Sequence, residues 1–275
     1  MWMSDTTKIA SKLRIEILKM IHRAKSGHPG GSLSVIDVLT CLYFARNSRG
    51  EAFLKYQAQN PNFSERDYLI LSKGHCSPAL YAVLGEAGFF PKSEWENFRQ
   101  ISSLLQGHPV RKVPGVEMTT GSLGQGLSVA CGLAANKRDK KVYAILGDGE
   151  LEEGQIWEAI MSAAQFKLNN LIAIVDRNHL QIDGETKAVM NSSPLEEKIT
   201  SFNWRVYRIR DGHDHDEIIE KLEKVDRDRE KTDKPALIIA ETIKGKGVSF
   251  MEGKASWHGN PPSDQELEMA IGELS

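Results

Sequence analysis

The stretch that decides the fold runs from Lys141 to Asn178. It reads Lys141-Val-Tyr-Ala-Ile-Leu-Gly147-Asp148-Gly149, then a helical segment, then Leu171-Ile-Ala-Ile-Val175-Asp176-Arg177-Asn178. Two apolar runs of strand length joined by one helix form a βαβ unit with parallel strands. Asp148 and Asn178 fall just past the carboxyl ends of those strands, the edge at which ligands bind in open α/β sheets. An acid and an amide beside small glycines suit a hard divalent cation bridging to phosphates. Mg²⁺ takes roughly six oxygen ligands and draws several from phosphate and water. Taken alone, Gly147-Asp148-Gly149 is an everyday turn after a strand; Asn178, recurring at the matching strand end, gives it weight. Glu150 and Glu152 open the intervening helix and are explained by its macrodipole. Glu153 and Glu158 read equally well as surface acids.

Outward from this unit the same alternation continues. Helical spacing of Ile9, Leu13, Ile17, Leu18 and Ile21 predicts a helix over 5–24. It stops at Lys25-Ser-Gly-His-Pro-Gly-Gly31, a run of helix breakers. A second helix is expected from Ser34 to Phe44, with Ser34 as cap and Asp37 in a capping-box-like position. Strands are expected at 67–71, 141–146, 171–176, 205–210 and 235–240, and further helices at 78–88, 128–136, 152–166 and 214–226. Residues 226–234 read as a charged, solvated stretch, and 89–120 as irregular chain too long for a simple connector. Near-continuous apolar strands alternating with helices give an α/β fold, a parallel sheet with helices on both faces. No repeat or linker divides it, so 1–275 is expected to form a single domain.

Composition narrows the function classes. The 275 residues carry a formal charge of −2, which gives no reason to expect nucleic acid or an anionic membrane as partner. No apolar run approaches the ~20 residues that cross a bilayer, and the N-terminus lacks the layout of a signal peptide. The three cysteines, Cys41, Cys76 and Cys131, are widely spaced. Neither a disulfide framework nor a zinc site is expected, and a reducing cytoplasm is the default.

Of eight histidines, three lie in glycine-bearing loops, Ser26-Gly-His28-Pro-Gly, Lys73-Gly-His75 and Gln106-Gly-His108-Pro, and a fourth in Ser256-Trp-His258-Gly. Glycine lets a backbone approach a ligand closely, and none of the four has zinc-like spacing. Hydrogen bonding to a polyhydroxylated or phosphorylated ligand fits them better. His22, His213 and His215 read as structural or surface residues. Gly121-Ser-Leu-Gly-Gln-Gly126 is G-x-x-G-x-G, the wrong spacing for a dinucleotide fingerprint. Lys244-Gly-Lys-Gly247 reads either as a phosphate contact or as a flexible basic loop.

With these residues in place, the chain resembles the transketolase family of thiamine diphosphate enzymes. The matches are Ser26-Gly-His-Pro-Gly30, Ser72-Lys-Gly-His75, Gly107-His-Pro109, Gly115 to Gly126, Gly147 to Asn178, Ile182-Asp-Gly184, Asp211-Gly-His-Asp214 and Trp257-His-Gly259. They stand in the family's order and cover nearly the whole chain. The resemblance implies a thiamine diphosphate-binding fold, with Asp148, Asn178 and the Leu180 carbonyl as Mg²⁺ ligands. It places His75 and Gly149 at the diphosphate, and the backbone of Gly121, Ser122 and Leu123 near the cofactor's rings. Ser122 replaces a proline common in the family. His28, His108 and His258 correspond to histidines that hold the sugar's hydroxyls and assist proton transfer, His258 also touching the cofactor. Glu153 and Glu158 correspond to a buried acid network between active sites, Glu153 with both catalytic and cofactor contacts.

The implied activity is transfer of a two-carbon ketol unit from a ketose phosphate to an aldose phosphate, with the thiazolium as electron sink. The glutamate that activates the aminopyrimidine, and most arginines that bind sugar phosphate, belong in the family to further domains. The chain therefore resembles the N-terminal subunit of a split transketolase, inactive without a C-terminal subunit, in a homodimer of heterodimers. Other thiamine diphosphate enzymes stay open: a 1-deoxyxylulose-5-phosphate synthase-like protein, a 2-oxo acid dehydrogenase subunit, or a transketolase for an unusual ketose. His28 and His258 favour ketol chemistry over 2-oxo acid decarboxylation. A non-catalytic scaffold paralogue is the reading from a different class, opposed by the intact Asp148, Asn178 and loop histidines.

Overall fold

The computed structural model describes residues 3–275, with side chains from Thr6 onward. Along the chain come α1 (Met3–Ala24), α2 (Pro29–Phe44), β1 (Tyr68–Leu71), α3 (Ser77–Glu86), α4 (Gln125–Asn136), β2 (Val142–Gly147), α5 (Gly154–Gln165) and β3 (Leu171–Arg177). A two-stranded hairpin follows, β4 (Leu180–Gln181) with β5 (Gly184–Glu185), then α6 (Thr186–Val189) and α7 (Leu195–Ser201). The chain closes with β6 (Arg205–Ile209), α8 (His215–Arg229), β7 (Ala236–Glu241) and α9 (Asp264–Leu274).

Five strands form one parallel sheet in the order β1-β2-β3-β7-β6. The expected βαβ unit is its centre: Val142 pairs with Leu171 and Gly147 with Asp176. Alternate strand residues point to opposite faces, and the core divides accordingly. Tyr143, Ile145, Ile172 and Ile174 pack toward α1, α2, α3 and α8, while Val142, Ala144, Leu146, Ala173 and Val175 pack toward α4, α5 and α7. Both faces are thus covered, which is why the strands read as unbroken apolar runs. Since all five strands run the same way, every carboxyl end emerges at one edge.

Several expectations need correction. The second helix starts at Pro29, not Ser34, with the proline at its first turn. The breakers Gly30 and Gly31 lie inside the helix, where packing leaves no room for a side chain. A Cβ on Gly30 would stand 2.8 Å from both Lys244 Cγ and the Trp257 carbonyl, and one on Gly31 would stand 2.8 Å from Cys76 Sγ. Ser34 is therefore interior, and Asp37 caps nothing. The expected solvated stretch at 226–234 begins inside α8, which runs to Arg229. The helix expected from Ser128 begins at Gln125. Helices α7 and α9 were not foreseen; α9 carries a capping box between Ser263 and Glu266. Residues 89–120 are irregular as expected apart from a 3-10 segment at Lys92–Asn97, and they are anchored by buried Trp95, Phe98, Leu105 and Val113. The three cysteines are buried and free.

Asp37 instead knots together α1, α2 and α8. Its carboxylate pairs with Arg14 and meets His213 Nδ1 at 2.6 Å and His215 Nε2 at 3.0 Å. The Ile243 backbone N–H donates to His213 Nε2, so Nδ1 carries the ring proton and donates to Asp37. His213 and His215 are structural, both bonded to Asp37. Burial pushes the Asp37 carboxyl upward, but Arg14 and the two histidines hold it well below the usual carboxylate range. Breaking such a buried pair strands the remaining charge. Asp37→Asn should cost about 3–5 kcal/mol in urea unfolding; a loss within measurement error would contradict this account.

Candidate active site

Four strand ends build the site. After β1 the chain turns through Ser72-Lys73-Gly74-His75; after β2 it gives Asp148 and Gly149; after β3, Asn178 and Leu180; after β7, Thr242 and Lys244. They enclose a cleft of about 130 Å³ lined by Lys73, His75, Leu123, Asp148, Gly149, Glu150, Asn178, Leu180, Gln181, Ile182, Lys244 and His258. His75, Leu123, Asp148, Gly149, Asn178, Leu180 and His258, expected from distant parts of the sequence, are thus brought together.

Part of the cleft wall is made of groups with oxygen atoms to offer a cation. Asp148 is buried and accepts the Gly149 N–H at 3.0 Å on Oδ1 and the His179 N–H at 2.6 Å on Oδ2. Burial, and then the charge of Asp176, raises its pKa to about 6, against the pull of Lys73 and the two N–H groups. A cation would reverse that shift. Asn178, also buried, accepts the Leu180 N–H at 3.1 Å. Among the described residues no three His, Cys, Asp or Glu side chains gather to hold a metal, and the Leu180 carbonyl in the same wall accepts from Lys244.

Two lysines stand beside these donors. Lys73 is fully buried and paired with Asp176. Lys244 is only 2% exposed. Among the described residues its ammonium meets no carboxylate; it donates to the Leu180 carbonyl and to His258 Nδ1, both at 3.1 Å. Burial, and then the charge of Lys73, lowers its pKa to about 8. A buried cation without an acid partner calls for an anion from outside the chain. Of the two readings of Lys244-Gly-Lys-Gly247, the structure puts Lys244 in the cleft wall.

Beside Lys244 the histidines cluster, His75 and His258 lining the cleft. The His28 ring centre lies 5.2 Å from His75, 5.3 Å from His258 and 6.4 Å from His108, and His75 lies 5.2 Å from His258. Burial is the main cause that lowers all four, His28 to about 4, His258 to about 3 and His75 well below its ordinary value. At neutral pH each is an uncharged imidazole with one donor and one acceptor. His258 Nδ1 accepts from Lys244, so its Nε2 is the donor. His28 Nδ1 is buried and has no partner among the described residues. Gly121, at φ +151°, lies on the His108 ring; a Cβ there would be 3.2 Å from Cδ2.

Some residues fall outside the cleft. Ser122 is exposed on the loop between Gly121 and Leu123, and Glu153 and Glu158 are exposed on this chain. The buried acid of the motif is Glu150, which corrects its reading as a helix-end charge. It accepts from Ser72 Oγ, from the Gly124 N–H at 2.8 Å and from the Gly147 N–H at 3.1 Å, tying three loops together. Sequence reasoning also passed over Lys73 and Asp176. The available signal was a lysine and an aspartate each at the end of an apolar strand.

Residues 5–274 match the family described as "Transketolase, thiamine diphosphate binding domain". The chain is 41% identical over 276 residues to a subunit of the apulose-4-phosphate transketolase of Phocaeicola vulgatus, covering 98% of this chain and 94% of that protein. It is 43% identical over 275 residues to the 6-deoxy-6-sulfo-D-fructose transketolase subunit SqwG of a Clostridium species (strain MSTE9), with 98% and 96% covered. Transketolase from Campylobacter jejuni superposes with a TM-score of 0.90 at 34% identity, over 100% of this chain and 43% of that one. Transketolase from Leishmania mexicana gives 0.89 at 28%, over 98% and 41%. The chain therefore spans about two-fifths of the full-length transketolases that it matches. It belongs to the transketolase family, in which it corresponds to the thiamine diphosphate binding domain.

Proposed function

We propose that this chain is the N-terminal subunit of a split transketolase, a single thiamine diphosphate-binding domain over 1–275 that works with a separate C-terminal subunit. The observation that carries the reading is the cleft in which Asp148, Asn178 and the carboxylate-free Lys244 stand beside His75 and His258, with His28 and His108 next to those rings. The near-complete coverage of the two relatives named as transketolase subunits supports the split arrangement.

The residues fit the cofactor. A partial oxygen set completed by phosphate suits Mg²⁺, and Lys244 lacks the anion that a diphosphate provides. Asp148, Asn178 and the Leu180 carbonyl would hold Mg²⁺, with Gly149, His75 and Lys244 at the diphosphate. The backbone of Gly121, Ser122 and Leu123 would lie beside the rings. Bound thiamine diphosphate supplies a nucleophilic carbon and an electron sink for breaking and making a carbon–carbon bond. The chain's own groups do the rest. His28, His108 and His258, uncharged, hold the hydroxyls of a ketose phosphate and pass protons at their ring nitrogens as the two-carbon unit moves to an aldose phosphate. Glu153 and Glu158, exposed on this chain, would join an acid network with a neighbouring subunit.

A homodimer of heterodimers, a role in carbohydrate metabolism such as the pentose phosphate pathway and a cytoplasmic site complete the proposal. Three buried free cysteines suit a reducing compartment, and among the described residues no helix is long and apolar enough to cross a membrane. The relatives' names point to two different ketoses, which favours a specialised donor as the second reading.

Co-purification with a partner encoded nearby, followed by a ketose-to-aldose transfer assay, tests the proposal. The pair should transfer the two-carbon unit, the chain alone should not, and Asp148→Ala should reduce the pair to background. No transfer by the pair with any ketose phosphate would overturn the reading. Near-normal activity of Asp148→Ala would overturn the ligand assignment.

The histidine cluster predicts a pH dependence. A folded His28 at about 4 binds fewer protons than the unfolded chain, where histidine has its ordinary value of 6.5. Stability is therefore full above about 6.5 and falls as pH drops from there toward 4. His28→Gln should flatten the fall in melting temperature of the unliganded chain between those limits. An unchanged slope would contradict the burial of a neutral His28.

A further inference from the structure

The oxygen and nitrogen of an asparagine amide differ little in shape, so the neighbours decide which one faces a cation. At Asn178 those neighbours form a one-way chain of donors that starts at Asp176. The Asp176 carboxylate is buried at 1% exposure and pairs with Lys73. It is ionised and accepts only.

Ser34 Oγ lies 2.6 Å from Asp176 Oδ2 and 3.0 Å from the neutral Gly31 carbonyl. Its single proton goes to the charged and closer acceptor, since charge-assisted bonds are shorter and stronger. The Ser34 oxygen then offers only lone pairs to Asn178, and the atom it meets at 3.3 Å is Nδ2. The opposite side agrees. The backbone N–H of Leu180 can only donate, and it meets Oδ1 at 3.1 Å. Both ends of the amide are fixed, and its oxygen stands on the side of Leu180, away from Ser34.

We propose that Ser34 is a positioning residue that, itself oriented by Asp176, turns the Asn178 amide so that its oxygen faces the cation. The proposal rests on the reading of Asn178 as a Mg²⁺ ligand, and it extends the site's polarity back into helix α2. A flipped amide would present two N–H groups to a positive ion. The arrangement also accounts for a serine at a wholly buried helical position, where alanine would be the better helix former.

The direct test is side-chain amide exchange of Asn178 in the unliganded chain, with its NMR signal identified by its loss in Asn178→Ala. The amide protons should exchange slowly in the wild type and at least tenfold faster in Ser34→Ala. Thr242→Val removes the other hydroxyl on Asp176, the one on Oδ1, and should leave the Asn178 signal slow. With saturating thiamine diphosphate, Ser34→Ala should weaken Mg²⁺ binding about tenfold, as loss of an outer-shell partner does, while far-UV circular dichroism stays native. Fast exchange in the wild type, or equal exchange in wild type and Ser34→Ala, would overturn the proposal. Wild-type chain that binds thiamine diphosphate without any Mg²⁺ dependence would overturn the metal reading, while the amide signal still judges the orientation.

Discussion

Asp176 leaves the carboxyl end of β3 with almost no water to solvate it, and the groups that satisfy it come from three other elements. Lys73 follows β1, Ser34 lies in α2 and Thr242 follows β7. A buried carboxylate with its partners removed costs several kcal/mol, so these elements are bound to one arrangement. That arrangement fixes the edge of the sheet at which Asp148, Asn178 and Lys244 stand. Glu150 has the matching role at the neighbouring strand, holding the loops after β1 and β2 against the turn that precedes α4.

Around these two buried acids the cleft holds two kinds of group. Lys73 is already paired with Asp176, whereas Lys244 has no described carboxylate within ion-pair distance. The cleft therefore offers a lysine charge together with a carboxylate whose protonation is sensitive to its surroundings. Beside them stand imidazoles that burial keeps uncharged. The charged groups suit a metal and a diphosphate, which bring their own charges. The imidazoles suit hydroxyl groups and proton transfer, for which a neutral imidazole is both donor and acceptor.

The sheet and its ligand edge were legible because parallel strands covered on both faces must be apolar throughout, and that leaves runs such as Leu171 to Val175. Asp148, Asn178 and the loop histidines were legible because they interrupt such runs or sit beside glycines. The start of α2 was not, since Gly30 and Gly31 read as helix breakers, whereas they stand there because Lys244, Trp257 and Cys76 leave no room for a Cβ. Nor were the roles of Glu150 and Lys73. A charged residue near a strand end looks solvated until three separate loops are seen to close over it. Helix α9 was missed because few of its residues are buried, although its Ser263–Glu266 capping box was present in the sequence. The exposure of Glu153 and Glu158 on a single chain is consistent with a role that only a second chain would reveal.

In the proposed function this chain holds the metal and the diphosphate as one unit, because Asp148, Asn178 and the Leu180 carbonyl would be too few for the metal alone and Lys244 lacks an anion. Calorimetric titration of the chain with Mg²⁺, with and without thiamine diphosphate, tests it most directly. Measurable Mg²⁺ binding is predicted only when the diphosphate is present, with each ligand tightening the other. Equal Mg²⁺ affinity in both titrations would contradict it.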